Sequence, residues 1–441
     1  MSIAIFGLGR SGLAVAEAAV KLGKKAIVYD ENPRDKIAKK ELIDEAEKIG
    51  ATLILGNEFP QSLKNQNIEY VVVNPAIDHR HPALQSLHRE GTEVISEIEF
   101  AQRISKAPII AVTGTNGKST TAAMTAIALR AAGKDAILCG NIFGSGLPEQ
   151  PLTTAAMNSI PDQVLVAEIS SFQLEWVSQF KPKAAALTSI SADHLDRYDS
   201  YDQYVLTKLN IFRAQSEGDT AIFPSGFLVE TKAEVLEFGA PDSDAFVKDG
   251  YLNVGDQVIS SEDFRVMGNH NLLNAAVALM LSASIVGKQK QPEMVAALKS
   301  FSGLDHRMEF VAEKKGIKFI NNSMCTNPAA VRASLESIKN VVHVLIGGTN
   351  KDLDFSGLKG FFETGTHRVT LFGKDAEQIN RELGGNYQVW STMKEAFDAA
   401  TNEAKEGEIV MLAPGCASTD QFRDFRHRGD VFKATVMDWT E

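Results

Sequence analysis

Short apolar runs alternate with longer stretches of helical spacing along almost the whole chain. It opens with "IAIF" (3–6), then the glycine-rich "GLGRSG" (7–12), then "LAVAEAAVKLG" (13–23), then "KAIVYD" (25–30). Apolar runs of this length, bounded by Gly and polar residues, predict buried strands, and the stretch between them predicts a helix. "YVVVNPAI" (70–77) adds a parallel strand to the same unit, which closes near "EVISEIEFAQRISKAP" (93–108). A second unit opens with the strand "PIIAVTG" (108–114) and the helix "STTAAMTAIALRAAG" (119–133). "QVLVAEISS" (163–171) reads as another buried strand, and "KAAALTSISADHLDRY" (183–198) as a strand followed by a polar loop. "GNHNLLNAAVALMLSASIVG" (268–287) is a strong helix. After "GLDHRMEFV" (303–311), strands recur in "IKFINNS", "VVHVLIGG", "RVTLFG" and "EIVMLAPG", separated by helical patterns. Strands alternating with helices predict an α/β protein with mostly parallel sheets, in three domains at 1–95, 96–302 and 303–441.

Composition sharpens this picture only a little. A chain of 441 residues has room for three domains at about 150 residues each. The net charge of −11 argues against nucleic acid as the main partner, since phosphate backbones need a basic surface. A small anionic substrate needs only a local cluster of cations. The three cysteines, Cys139, Cys325 and Cys416, lack metal-ligand spacing and fit a reducing cytoplasm. "MSIAIFGLGRSG" is not a signal peptide, and no run of 18 apolar residues predicts a membrane span. A soluble, cytoplasmic protein is the expectation.

Two glycine-rich loops carry candidate chemistry. In the first, Gly7, Gly9 and Gly12 form G-x-G-x-x-G after a strand, and Asp30 ends the next strand. Taken alone, that is a dinucleotide fingerprint, with phosphates on a helix N-terminus and the acid on a ribose. In the second, "AVTGTNGKSTT" (111–121), Gly117, Lys118 and Ser119 match the end of a P-loop, but Val112 stands where its first glycine belongs. Backbone N–H groups of Gly114, Thr115, Asn116, Gly117, Lys118, Ser119 and Thr120 could still converge on phosphate oxygens. Lys118 would add a point charge, and the Ser119 hydroxyl could hold Mg²⁺. Glu168, at the end of the next buried strand, is placed to hold Mg²⁺; the plainer reading is a helix N-cap. His194 is a second candidate metal ligand, although a lone loop histidine is more often a surface residue.

"TGTNGKST", "AEISSFQLEW", "SADHLDRY", "GNHNLLNA" and "GLDHRMEFV", in this order, resemble the Mur ligases, cytoplasmic ATP-dependent amide-forming enzymes of peptidoglycan synthesis. "ISSFQLE", "DHLDRY" and "APGCASTDQFRDFRHRGDVF" are most similar to the members that add D-glutamate to UDP-N-acetylmuramoyl-L-alanine. The shortened P-loop is that family's variant. The resemblance implies a Rossmann-like N-terminal domain, a central P-loop ATPase-type domain with a parallel or mixed sheet, and a Rossmann-like C-terminal domain. It moves the first loop from a dinucleotide to the UDP part of the substrate, with Gly9, Arg10, Ser11, Asp30, Asn74 and Asn141 on the substrate side. It implies that Lys118 holds the β- and γ-phosphates, that Ser119 and Glu168 hold one Mg²⁺, and that His194 helps hold a second. Lys208 matches a lysine that the family carbamylates, which would make it an anion able to support Mg²⁺. From its own surroundings in sequence, Lys208 reads as a solvated helix residue. Asn271 and Asn274 lie where the family reads adenine. Arg307 matches an arginine that reaches the ATP phosphates when domains close. Thr326, Lys351, Ser418 and Phe425 occupy the amino-acid positions. A monomer with no nucleic-acid or membrane partner is expected.

The segment "FINNSMCTNPAAV" (319–331) departs from the family pattern Asn-Asp-Ser-Lys-Ala-Thr-Asn. Asn322 replaces an aspartate that would bind the ATP ribose, keeping an acceptor but losing charge. Met324 removes a cation near the acidic amino acid, and Cys325 replaces the alanine. Glu31 and Asn32 follow Asp30 where the family tends to carry Thr-Arg. Three readings therefore stand: addition of D-glutamate, a sibling ligase using another amino acid or acceptor, and a degenerate homologue that binds a nucleotide or partner with little turnover.

Overall fold

The computed structural model describes residues 1–37, 40–64, 66–142, 150–191, 194, 197–266, 268–336, 338–350 and 353–440. Three sheets follow one another along the chain. The first contains β1 (Ser2–Phe6), β2 (Lys25–Asp30), β3 (Thr52–Leu55), β4 (Ile68–Val73) and β5 (Val94–Ser96), in the order β3-β2-β1-β4-β5 with every pairing parallel. Strand alternation explains why both faces are covered. Ile3 and Ile5 pack with Val28, Val72 and the Val15–Ala19 face of α1 (Arg10–Lys21). Ala4 and Phe6 point the other way, toward Val71, Val73 and Leu84 of α3 (Pro82–Arg89). Helix α2 (Lys40–Lys48) completes the first face with Ile43 and Ala46.

Helix α4 (Glu97–Ile104) leads directly from β5 into the second sheet. Its two buried acids hold it there. Glu97 Oε1 accepts from the Thr153 N–H (2.7 Å), and Glu99 accepts from the N–H groups of Ser178 and Gln179 (3.1 Å each). Burial pushes the Glu97 carboxyl above the usual carboxylate range.

The second sheet runs β6 (Ile109–Thr113), β7 (Asp135–Gly140), β8 (Gln163–Glu168), β9 (Ala184–Leu187), β10 (Thr220–Pro224), β11 (Glu234–Phe238), β12 (Ala245–Lys248), β13 (Tyr251–Val254) and β14 (Gln257–Ser260). Its order is β14-β13-β12-β11-β10-β9-β6-β8-β7. From β7 to β12 the neighbours pair in parallel, and β12 with β13 is antiparallel. Helices α5 (Lys118–Ala131), α6 (Leu152–Met157) and α7 (Tyr201–Leu209) belong to its first half. Strands β10 to β14 then follow each other with no α-helix between them, which departs from the expected alternation. Of these, β10 is buried like the earlier strands, whereas β11 to β14 are short and partly solvated and carry a weaker apolar signal. Helix α8 (Asn269–Val286) is long and apolar enough to cross a membrane by length and composition, yet most of it is buried within the protein. Helix α9 (Gln291–Lys299) follows it.

The third sheet contains β15 (Glu309–Lys314), β16 (Ile317–Asn321), β17 (Val342–Gly347), β18 (Arg368–Phe372), β19 (Gln388–Trp390) and β20 (Ile409–Gly415). Its order is β15-β16-β20-β17-β18-β19; β15 with β16 is antiparallel and the rest pair in parallel. Helices α10 (Pro328–Leu335), α11 (Lys359–Glu363) and α12 (Ala376–Leu383) contribute to a core with Val344, Ile346 and Met411. Helices α13 (Met393–Glu403) and α14 (Phe425–Asp438) pack on the opposite face with Leu345, Val410 and Leu412. The chain divides into two compact units. Met1–Ile142, Pro148–Ile259 and Leu273–Leu298 form one, and Ser260–Leu272 with Lys299–Glu441 lie in the other.

Candidate active site

In the first unit, the second glycine-rich loop leaves the fully buried strand β6 and turns into α5. Gly114 (φ +149°) lies so close to Thr188 that a Cβ would fall on the threonine hydroxyl. Thr188 Oγ1 donates to the carbonyls of Thr113 (3.1 Å) and Asn116 (2.5 Å), and the Thr115 N–H donates to Ser189 O (2.9 Å). The segment after β9 thus staples the loop from behind. Gly117 (φ +83°) is the N-cap of α5, and a Cβ there would meet Asn274 Oδ1, which also accepts from Thr121 Oγ1 (3.2 Å). Asn274 therefore braces the loop.

Lys118, Ser119 and Thr120 form the first turn of α5, which contains no acid. A lysine at a helix N-terminus adds charge to an end that is already positive, an arrangement suited to an anion. Lys118 Nζ donates to Thr115 O (2.9 Å), folding the ammonium over the loop.

Glu168 ends β8 one strand away, in register with Val112 of β6. It is buried; Oε1 accepts from Asn141 Nδ2 (3.2 Å), while Oε2 has no hydrogen-bond partner among the described residues. A buried carboxylate oxygen left bare is costly, and a cation would satisfy it. Among the described residues no three His, Cys, Asp or Glu side chains gather as a metal cage. A hard ion held by one carboxylate, a hydroxyl and phosphate oxygens fits this donor set, which is how Mg²⁺ is usually bound.

Lys208 corrects the reading made from its place in sequence. It is 2% exposed, not solvated: Nζ donates to Gly114 O (2.9 Å) and lies 4.8 Å from the Tyr204 ring centroid. The Tyr204 and Thr115 hydroxyls are 2.9 Å apart, so α7 grips the loop twice. His194 is exposed, at φ +52°, with its ring 4.7 Å from that of Phe172 and 6.4 Å from that of Tyr204.

The first glycine-rich loop joins β1 to α1. A Cβ on Gly12 would fall on the Gly7 carbonyl, which excludes a side chain there, and one on Gly9 would have to displace the Asn74 amide. Arg10 and Ser11 begin α1, with Gly9 as its N-cap. Asp30 faces inward: Oδ2 accepts from the Leu8 N–H (2.7 Å), and Oδ1 from Asn32 N (2.9 Å) and Nδ2 (3.0 Å). Its carboxylate shapes the loop. Asn74 Oδ1 accepts from the Ala76 N–H (3.0 Å), shaping the turn after β4.

Sequence reasoning missed a clasp that ties the turn after β4 to the segments after β8 and β9. Arg197 is buried, pairs with Glu175 through Nε (2.8 Å) and Nη2 (2.7 Å), donates to Ile77 O (2.7 Å) and lies 4.1 Å from the Phe172 ring centroid. The signal was present as Arg in "DHLDRY" and Glu in "QLEW", charges set within aromatic surroundings.

In the second unit, Arg307 pairs with Leu304 in an isolated bridge and sits between two left-handed residues, His306 (φ +62°) and Met308 (φ +46°). Asn322 is buried, accepting from the Met308 N–H (3.1 Å) and donating to Ser334 Oγ (2.7 Å). Asn271 lies buried near the start of α8. Parallel pairing brings the ends of β16 and β20 together, and Thr326 and Ser418 follow those ends. Phe425 begins α14, where its carbonyl accepts from Ser323 Oγ (2.7 Å). Lys351 lies outside the described residues.

Family models match most of the chain in order. The Mur ligase MurD-like N-terminal domain covers 1–96, the Mur ligase middle domain 112–282, and the Mur ligase glutamate ligase domain 306–416. A UDP-N-acetylmuramoylalanine–D-glutamate ligase of Caldanaerobacter subterraneus subsp. tengcongensis is 35% identical over 98% of this chain and 97% of its own length. Its Bacillus cereus counterpart is 33% identical over 99% and 97%. The chain belongs to the Mur ligase family. Members of this family are ATP-dependent, amide-forming ligases. Solved Mur ligases share the fold at low identity: MurF of Thermotoga maritima in complex with ADP has a TM-score of 0.59 at 15% identity, covering 98% of this chain and 97% of its own. A UDP-N-acetylmuramoyl-L-alanyl-D-glutamate–2,6-diaminopimelate ligase has a TM-score of 0.58 at 17% identity, covering 94% and 92%.

Proposed function

We propose that this Mur ligase adds D-glutamate to UDP-N-acetylmuramoyl-L-alanine in cytoplasmic peptidoglycan precursor synthesis. Its full-length likeness to D-glutamate ligases supports the substrates, and the bare Glu168 oxygen beside the Lys118-led helix supports the chemistry. A carboxylate resists attack by an amine because its oxygen leaves poorly. The alanyl carboxylate first takes the γ-phosphoryl group of ATP, ADP departs, and the amine of D-glutamate then displaces phosphate and gives up its proton.

The chain's residues supply charge and alignment for this sequence. Residues 1–95 hold the UDP portion through Gly9, Arg10, Ser11 and Asn74, with Asp30 shaping the loop. Residues 96–302 hold ATP on the 114–120 loop, with Asn271 and Asn274 on the adenine side. Residues 303–441 supply Arg307, Asn322 and the amino-acid site at Thr326, Lys351, Ser418 and Phe425. Ser119 and Glu168 hold one Mg²⁺; His194 and Lys208, the latter as a carbamate, support a second. Bound Mg²⁺ neutralises the phosphates. We assign the enzyme as a monomer.

A second reading has a specific basis. Asn322 and Met324 lack the charges that the family pattern carries, so a sibling ligase with another amino acid is the alternative. Incubation with Mg-ATP, UDP-N-acetylmuramoyl-L-alanine and D-glutamate should yield a product heavier by one glutamyl residue, with ADP and phosphate in equal amounts. No such product, or a product only with another amino acid, contradicts the proposal.

A further inference from the structure

Arg428, in the first turn of α14, is the largest fully buried side chain among the described residues. Nε donates to Ser323 Oγ (3.0 Å), Nη2 to Ser323 O (2.9 Å) and Nη1 to Cys416 O (3.1 Å). Ser323 Oγ passes the connection on, donating to Phe425 O (2.7 Å). One guanidinium therefore ties together the segment after β16, the segment after β20 and the start of α14. Those three segments carry Thr326, Ser418 and Phe425.

All three acceptors are uncharged oxygens, and among the described residues no carboxylate forms an ion pair with Arg428. Burial lowers its pKa to about 10, which still leaves it protonated at neutral pH. A fold that only needed a clamp here could use neutral donors; burying a charge with no directly paired counter-charge is costly, and Asp420 attracts it only from beyond contact. The charge acts through a low-dielectric interior, where its field is weakly screened. Met324, in the clamped segment, stands where the family pattern has a lysine.

We propose that Arg428 determines the preference of the amino-acid site for an acidic amino acid, clamping the three segments that carry Thr326, Ser418 and Phe425 and supplying them with positive charge. It is a positioning and specificity-determining residue, and its assignment rests on the amino-acid site proposed above.

The test compares kcat/KM for D-glutamate with its neutral isosteres D-glutamine and D-isoglutamine, in the wild type, Arg428→Gln and Arg428→Lys. Arg428→Gln keeps a donor but removes the charge. It should erode at least one of the two ratios about tenfold or more, while KM for Mg-ATP stays within about twofold. Arg428→Lys keeps the charge and loses the fork, so it should raise KM for D-glutamate yet preserve both ratios. A purely structural role would lower melting temperature and turnover in both variants and leave the ratios unmoved, which overturns the proposal. Loss of the ratios in Arg428→Lys overturns it too, even if Arg428→Gln fails to fold. If the wild type turns over no D-glutamate, the proposed function fails and takes this inference with it; D-glutamate turnover with unmoved ratios sinks the inference alone.

Discussion

Two glycine-rich loops of the first unit occupy equivalent places, each between a buried strand and a helix that begins with a cation and has no acid in its first turn. Arg10 opens one helix and Lys118 the other. The neighbouring acids separate them. Asp30 spends both oxygens on the loop and turn around it, whereas Glu168 keeps one buried oxygen bare among the described residues. The loops' own support differs as well. The first is squeezed between Gly12 and Asn74, while the second is held from outside by Thr188, Lys208, Tyr204 and Asn274. The proposed function would place the unreacting UDP portion on the closed loop with the satisfied acid, and the phosphate with its counter-ion on the braced loop beside the unsatisfied one.

Lys118→Ala should have the largest effect. It removes the cation from the reacting loop and should lower turnover by about 10³-fold or more, without shifting the melting temperature by more than a degree or two. Phosphate release and thermal denaturation check this, and full activity in the variant would dissolve the distinction between the loops. Glu168→Gln keeps size and the Asn141 contact but removes the charge. Turnover should fall by about 10²-fold and the Mg²⁺ concentration for half-maximal rate should rise, as seen in a metal titration. An unchanged metal dependence would mean that the bare oxygen serves something else. Asp30→Asn makes the matching change in the holding loop. It should cost about 1–2 kcal/mol of stability through weakened bonds to Leu8 and Asn32, measured by denaturant unfolding. Its kcat should stay within about threefold of wild type, because the carboxylate meets no reacting atom. A kcat loss matching that of Glu168→Gln would erase the contrast.

Much of this contrast was legible in the chain itself. The apolar runs that became β1, β6, β8 and β17 are buried on both sides, and such strands announce themselves without tertiary help. Gly114 and Gly117 could be read as a cradle because only a few residue types fit that backbone. Lys208 could not be read this way. Its burial depends on α7 docking against the loop 94 residues earlier, and local pattern carries no record of so distant a contact. Asp30 was legible as an acid in the right place but not as one already engaged, since its partners are backbone N–H groups. Strands β11 to β14 escaped notice because they are short, partly exposed and only weakly patterned. Arg428 sits in the charged stretch "RDFRHRGD", and only packing reveals that it is buried.

The most direct test of the division between the loops is a calorimetric titration of two variants with two ligands, UDP-N-acetylmuramoyl-L-alanine and a non-hydrolysable ATP analogue with Mg²⁺. Gly9→Ala pushes a methyl group against Asn74, and Lys118→Ala removes the ammonium from the second loop. A crossed result is expected: Gly9→Ala weakens the UDP substrate about tenfold and leaves the nucleotide unchanged, and Lys118→Ala does the reverse. If Gly9→Ala weakens the nucleotide instead, or if each variant weakens both ligands alike, the assignment of the two loops is wrong.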